Sequence, residues 1–120
     1  MGVVGGPRPV VLVVDDEPAI RLLCKVNLEL SGYEVREAGS LTAARAALDD
    51  SIAIVLLDMH VGSERGDTLV AELRERGIPV AAVTGSADVN SVTGVDAVLA
   101  KPFTIDELEA TVARLTGRSL

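Results

Sequence analysis

The chain has 120 residues, with 18 Asp and Glu against 11 Lys and Arg and a formal net charge of −7; this argues against a nucleic-acid surface, since duplex binding rests on Lys and Arg neutralising phosphates. A mass of 12.5 kDa holds one domain with one core and leaves no room for a separate output module of ordinary size. Hydrophobic residues make up 48%, yet no apolar run approaches the roughly 18 to 20 residues that cross a bilayer, so the reading is a cytoplasmic protein without membrane contact.

Residues 1–8 have neither a lysine-rich start nor a long apolar stretch and read as a mobile leader to a domain over 9–118. Val10 to Val14 is an apolar, β-branched run of the kind that forms a strand buried on both faces. Pro18 to Leu30 has helical period, with Ile20, Leu23, Cys24 and Leu28 on one face and Pro18 suited to the first turn. Cys24, the single cysteine, has no disulfide partner and takes a packing role in a reducing compartment. Tyr33 to Glu37 alternates apolar and charged residues as a half-buried edge strand does. Ser40 can cap a second helix running to about Leu48.

A second buried strand, Ile52 to Leu57, precedes a third helix over Gly66 to Arg76, with Leu69, Val70 and Leu73 inward. Pro79 to Val83 and Val98 to Ala100 are the remaining buried strands, and Asp88 to Gly94 between them carries little helical pattern, which predicts a fourth helix that is short or irregular. Thr104-Ile105-Asp106-Glu107 is a capping box, opening a last helix with Ile105, Leu108, Val112 and Leu115 on one stripe.

Strands alternating with helices imply an α/β fold, a doubly wound five-stranded parallel sheet covered on both faces. Ligands of such sheets bind outside the carboxyl ends of the strands, where this chain places Asp15-Asp16, Asp58, Thr84-Gly85 and Lys101-Pro102. Carboxylates gathered in one cleft repel one another unless a cation joins them, and Mg²⁺ takes oxygen ligands of this kind. A phosphoryl group in transfer spreads charge over its equatorial oxygens, which a hydroxyl such as Thr84 and an ammonium such as Lys101 can stabilise. Asp58, on the central strand, is the natural nucleophile, since a carboxylate can form an acyl phosphate. Each residue also has a plainer role: Asp16 can cap the first helix, Thr84 is an ordinary β-branched strand residue, and Lys101 can be a solvated charge before a turn. The set, not any member, points to chemistry. His60, the single histidine, reads as a surface side chain.

Asp15-Asp16, Asp58, Thr84 and Lys101-Pro102-Phe103, in this order and spacing, resemble the response-regulator receiver family of two-component signalling, over essentially the whole chain from about Pro9. The resemblance implies a flavodoxin-like sheet of strand order 2-1-3-4-5. It implies Mg²⁺ bound by the side chains of Asp16 and Asp58, by Asp15 directly or through water, and by the backbone carbonyl of His60. Asp58 would accept a phosphoryl group from a phosphohistidine of a histidine kinase or histidine phosphotransfer protein, Thr84 would bond a phosphoryl oxygen, and Lys101 would pair with it. The Lys101–Pro102 peptide would be cis. Such a domain catalyses its own phosphorylation and slow dephosphorylation, is not a turnover enzyme, and signals to a downstream protein that the sequence does not name.

Two departures from the family pattern carry consequences. Val98 stands where an aromatic usually sits three residues before the lysine, so the usual ring swing cannot report the switch. Val61-Gly62 replaces the usual Met-Pro, predicting a more flexible loop after Asp58. Val98 and the short fourth-helix region speak for an alternative, a phosphate-independent receiver-like interaction module. A Mg²⁺-dependent phosphohydrolase of the haloacid-dehalogenase type is a third reading, against which His60 stands where that chemistry wants a second Asp.

Overall fold

Five apolar or alternating runs do form strands, and the segments between four of the pairs wind into helices or turns that return the chain in the same direction. In a computed structural model that describes residues 8–117, the elements are β1 (Val10–Val14), α1 (Pro18–Leu30), β2 (Glu34–Ala38), α2 (Leu41–Ala47), β3 (Ile52–Asp58), β4 (His60–Val61), β5 (Glu64–Arg65), α3 (Asp67–Arg76), β6 (Val80–Gly85), a 3-10 helix over Ser86–Ser91, β7 (Ala97–Lys101) and α4 (Ile105–Thr116). Apart from Arg8, the leader expected over residues 1–8 lies outside the described residues, as does residue 118 of the expected domain.

The main sheet runs β2-β1-β3-β6-β7 and all its pairings are parallel. This is the expected order 2-1-3-4-5 once the small β4–β5 hairpin is set aside. Strand periodicity sends alternate side chains to two cores. Leu12, Val14, Val55, Leu57 and Ala82 meet Leu41 and Ala44 of α2 and Leu69 and Leu73 of α3. Val11, Val13, Ile54, Leu56 and Leu99 meet Cys24 and Leu28 of α1 and Leu108 and Val112 of α4. Every residue of β1 is buried, and each fully buried aliphatic side chain contributes about 1.5–3 kcal/mol relative to exposure. β2, on the edge, buries only Val35 and Ala38.

The caps behave as their residues suggest. Ser40 Oγ accepts the Ala43 amide at 3.0 Å, and Thr104 and Glu107 close the capping box reciprocally at 3.1 and 2.8 Å. Two expectations need correction. Leu23 does not share the inner face of α1: it is 38% exposed, and the buried row is Cys24 and Leu28 with Ile20 partly covered, because an i, i+4 row suffices for a helix lying on a sheet. Asp16 does not cap α1; the N-cap is Glu17, without a side-chain bond, and it is Asp15 Oδ1 that accepts the Glu17 amide, at 2.9 Å. The loop after Asp58, which carries Val61-Gly62, folds as the hairpin of β4 and β5, where Gly62 takes φ +63° at the first of the two turn residues, a position that favours glycine in tight hairpins.

In place of a fourth α-helix before β7 stands only the 3-10 run Ser86–Ser91, as the weak pattern there predicts. Among the described residues the exposed large apolar side chains, Leu22, Leu23, Val26 and Leu30, all belong to α1. Among the described residues no helix is long and apolar enough to cross a membrane.

Candidate functional site

The alternation that builds the α1/α4 core also builds the site. Two residues beyond Val13, Leu56 and Leu99, on the same face, come Asp15, Asp58 and Lys101, each where its strand runs out at the carboxyl edge. Carboxylate oxygens of Asp15, Asp16 and Asp58 lie within 4.8 Å of one another, with Asp15 and Asp58 buried and Asp16 exposed. Lys101 Nζ reaches into this group: it donates to Asp15 Oδ2 at 3.0 Å and stands 3.6 Å from Asp58 Oδ2 and 3.9 Å from Glu17 Oε1. Asp58 Oδ1 accepts the His60 amide at 3.0 Å. The Lys101–Pro102 peptide that ends β7 is cis.

Burial pushes the Asp58 carboxyl above its ordinary value, and the nearby Asp15 and Asp16 push the same way against the His60 amide and Lys101. For Lys101, burial alone would lower the ammonium, but the hydrogen bond to Asp15 and the charges of Asp15, Asp58 and Glu17 together raise it. One ammonium therefore sits among more negative charge than it can offset.

This arrangement fits a hard divalent cation. The donors are all oxygens, two of the carboxylates are buried, and the burial that, with the neighbouring carboxylates, disfavours the ionised form of Asp58 is a cost that a double positive charge would offset. A second sign of an incomplete site lies on the next strand: Thr84 Oγ1 is buried without a hydrogen-bond partner, a state that costs on the order of 1–3 kcal/mol. Thr84 follows Val83, which pairs with Asp58 across β3 and β6, so the orphan hydroxyl and the acidic group occupy neighbouring strand ends.

Of the residues singled out in the sequence, the structure brings Asp15, Asp16, Asp58 and Lys101 together, places Thr84 on the adjacent strand end without a hydrogen bond from its hydroxyl to them, and joins His60 to Asp58 through its backbone amide while its side chain stays exposed. Sequence reasoning missed two neighbours. Glu17 adds a third carboxylate near Lys101, and the Arg21 guanidinium donates to the Asp15 carbonyl oxygen at 2.7 Å; a charged residue one turn into a helix that begins at the cleft is the signal that could have found it.

The family described as the response regulator receiver domain matches residues 11–113. The DNA-binding dual master transcriptional regulator RpaA of Synechocystis is 32% identical over 121 residues, covering 92% of this chain and 50% of that protein. The transcriptional regulatory protein AruR of Pseudomonas aeruginosa is 35% identical over 122 residues, with the same coverages of 92% and 50%. The chain thus spans about half the length of these relatives. Among solved structures, the receiver domain of NtrX from Brucella abortus superposes with a TM-score of 0.82 at 29% identity over 91% of this chain and 99% of that one. TrrA from Thermotoga maritima, crystallised in complex with Mg(2+)-BeF, gives 0.78 at 29% identity over 88% and 97%. The chain belongs to the response-regulator receiver-domain family.

Proposed function

We propose that this domain is the phosphoacceptor of a two-component phosphorelay, taking a phosphoryl group on Asp58 from a phosphohistidine of a histidine kinase or histidine phosphotransfer protein. The observation that carries the reading is the position of Asp58: it is buried at the end of the central strand, with Asp15 and Asp16 oxygens within 4.8 Å and Lys101 Nζ at 3.6 Å. Asp16 and Asp58, with Asp15 directly or through water and the His60 backbone carbonyl, would hold Mg²⁺. Once bound, the ion supplies positive charge that offsets repulsion between these carboxylates and the incoming phosphoryl oxygens. The Mg(2+)-BeF complex of TrrA supports that choice of ion.

The protein's own part follows from the geometry. The His60 amide fixes one Asp58 oxygen, which leaves the carboxylate oriented to attack phosphorus. An Asp58 oxygen forms the new P–O bond as the P–N bond to the donor imidazole breaks. Lys101 exchanges its bond to Asp15 for one to a phosphoryl oxygen, and Thr84 Oγ1 gains in the phosphoryl group the acceptor it lacks. The domain acts as a switch whose altered surface is read by another protein, catalysing its own phosphorylation and slow dephosphorylation. The exposed apolar row on α1, a helix that starts at the cleft, offers the donor protein a surface beside the acceptor.

Intact mass after incubation with Mg²⁺ and acetyl phosphate tests the reading. A single phosphoryl adduct is expected, absent in Asp58→Asn and in the presence of a chelator. No adduct on the wild-type chain, with Mg²⁺ binding demonstrated separately, contradicts it and favours the phosphate-independent module.

A further inference from the structure

The Asp16 carboxylate is the exposed member of the acidic group, and its direction is set by its backbone. The peptide that joins Asp15 to Asp16 lies beyond the last residue of β1, where the sheet no longer fixes it. Asp15 itself is held at several points: its amide donates to the Ala38 carbonyl at 3.1 Å, its Oδ1 accepts the Glu17 amide at 2.9 Å, and its Oδ2 accepts Lys101 at 3.0 Å. The carbonyl of that peptide is held by one side chain, Arg21, whose Nη1 donates to it at 2.7 Å. Turning this carbonyl would change ψ of Asp15 and φ of Asp16 and so re-aim the Asp16 carboxylate.

Arg21 is in turn anchored from β2. Its Nε donates to Glu37 Oε1 at 3.3 Å, and its side chain is only 20% exposed. The guanidinium occupies a slot left by Gly39, where an added Cβ would stand 3.1 Å from Nη1. A planar fork with several donors can grip a carbonyl and a carboxylate at once, which an ammonium does less well.

We propose that Arg21 is a positioning residue of the acidic site: by gripping the Asp15–Asp16 peptide against β2 it sets where the Asp16 carboxylate stands and how tightly the acidic group holds a divalent cation. The inference rests on the cation site of the proposed function. It makes a prediction of opposite sign to simple electrostatics, because removing a positive charge beside an acidic cluster would by itself tighten cation binding.

The test is Mg²⁺ titration of the full chain by calorimetry without phosphodonor, with uptake from acetyl phosphate measured by mass on the same samples. Arg21→Met is expected to weaken Mg²⁺ binding by roughly tenfold, the low end for residues that orient metal ligands. Arg21→Lys should recover part of the loss. Lys25→Met, which removes a like charge one turn further along α1, should leave the affinity unchanged. Gly39→Val displaces the guanidinium without altering any charge; it should weaken binding in the same direction and decides the question where Arg21→Met does not fold. Equal or tighter Mg²⁺ binding in Arg21→Met, or in Gly39→Val in that case, overturns the inference alone. A wild-type chain that binds Mg²⁺ but takes no phosphoryl group overturns the phosphoacceptor reading and leaves the affinity ratio to decide on Arg21; one that binds no Mg²⁺ overturns both.

Discussion

At the amino-terminal edge of the sheet, Asp49 accepts hydrogen bonds from the Ser51 hydroxyl and amide and from the Arg36 guanidinium at 2.8 Å, and these donors hold its carboxyl down at about 2. At the same edge, Asp96 accepts the amide of Val80, the first residue of β6, at 2.8 Å. At the carboxyl edge, Asp58 has the single His60 amide, is buried, faces Asp15 and Asp16, and its carboxyl is pushed up. The same residue type is thus given three donors at Asp49 and one at the more deeply buried Asp58, and on the strand end beside Asp58 the Thr84 hydroxyl lacks a partner. At Asp49 the donors favour the charged form. Groups left short of partners persist in a stable fold where something outside the chain completes them.

The sharpest way to break this comparison is Lys101→Ala. It withdraws the ammonium that touches Asp15 and faces Asp58, and phosphoryl uptake from acetyl phosphate should fall by about 10²-fold, as for loss of one donor to a developing charge. Arg36→Ala, at the opposite edge, should leave that rate unchanged. A smaller effect separates two threonines. Thr104→Ala deletes a working cap and should cost about 1 kcal/mol in urea unfolding, whereas Thr84→Val has no hydrogen bond to lose and removes a buried hydroxyl that lacks a partner, so it should raise stability by about 1 kcal/mol while slowing phosphoryl uptake.

The smallest effect is in the pH dependence. The contribution of Asp49, whose folded carboxyl lies below its ordinary 3.8, is present above pH 3.8 and lost as the pH falls toward 2, so Asp49→Asn should flatten the acid limb of thermal midpoint against pH. Asp58 has the opposite sign. Its raised carboxyl favours the fold at low pH and ceases to do so as the pH rises through its shifted value.

Four of the strands were legible because burial on both faces leaves apolar, β-branched runs, the edge strand because it alternates, and two caps because Ser40, Thr104 and Glu107 act within a few residues of themselves; the strand order came from the family resemblance. The acidic group was legible for a related reason: in a parallel sheet the residue after each buried run emerges at the same edge, so Asp15, Asp58 and Lys101 could be placed together without knowing any distance. What escaped depended on partners distant in sequence or on local choices between equals. Leu23 and Cys24 are neighbours with comparable apolar character, and only the position of the sheet decides which turns inward. The hairpin at His60–Arg65 rests on strands of two residues each, too short for alternation to register. Arg21 reads as one more helical cation until β2 delivers Glu37 and Gly39 beside it.

The central claim, that the carboxyl edge is short of positive charge by construction, is tested most directly by thermal unfolding of the wild type and Asp58→Asn at pH 7 with and without Mg²⁺. Without the ion, Asp58→Asn should melt higher than the wild type, since it removes a charge the fold disfavours; with it, the wild type should gain stability that the variant does not. A lower midpoint for Asp58→Asn without Mg²⁺, or an equal gain from Mg²⁺ in both, would contradict the account.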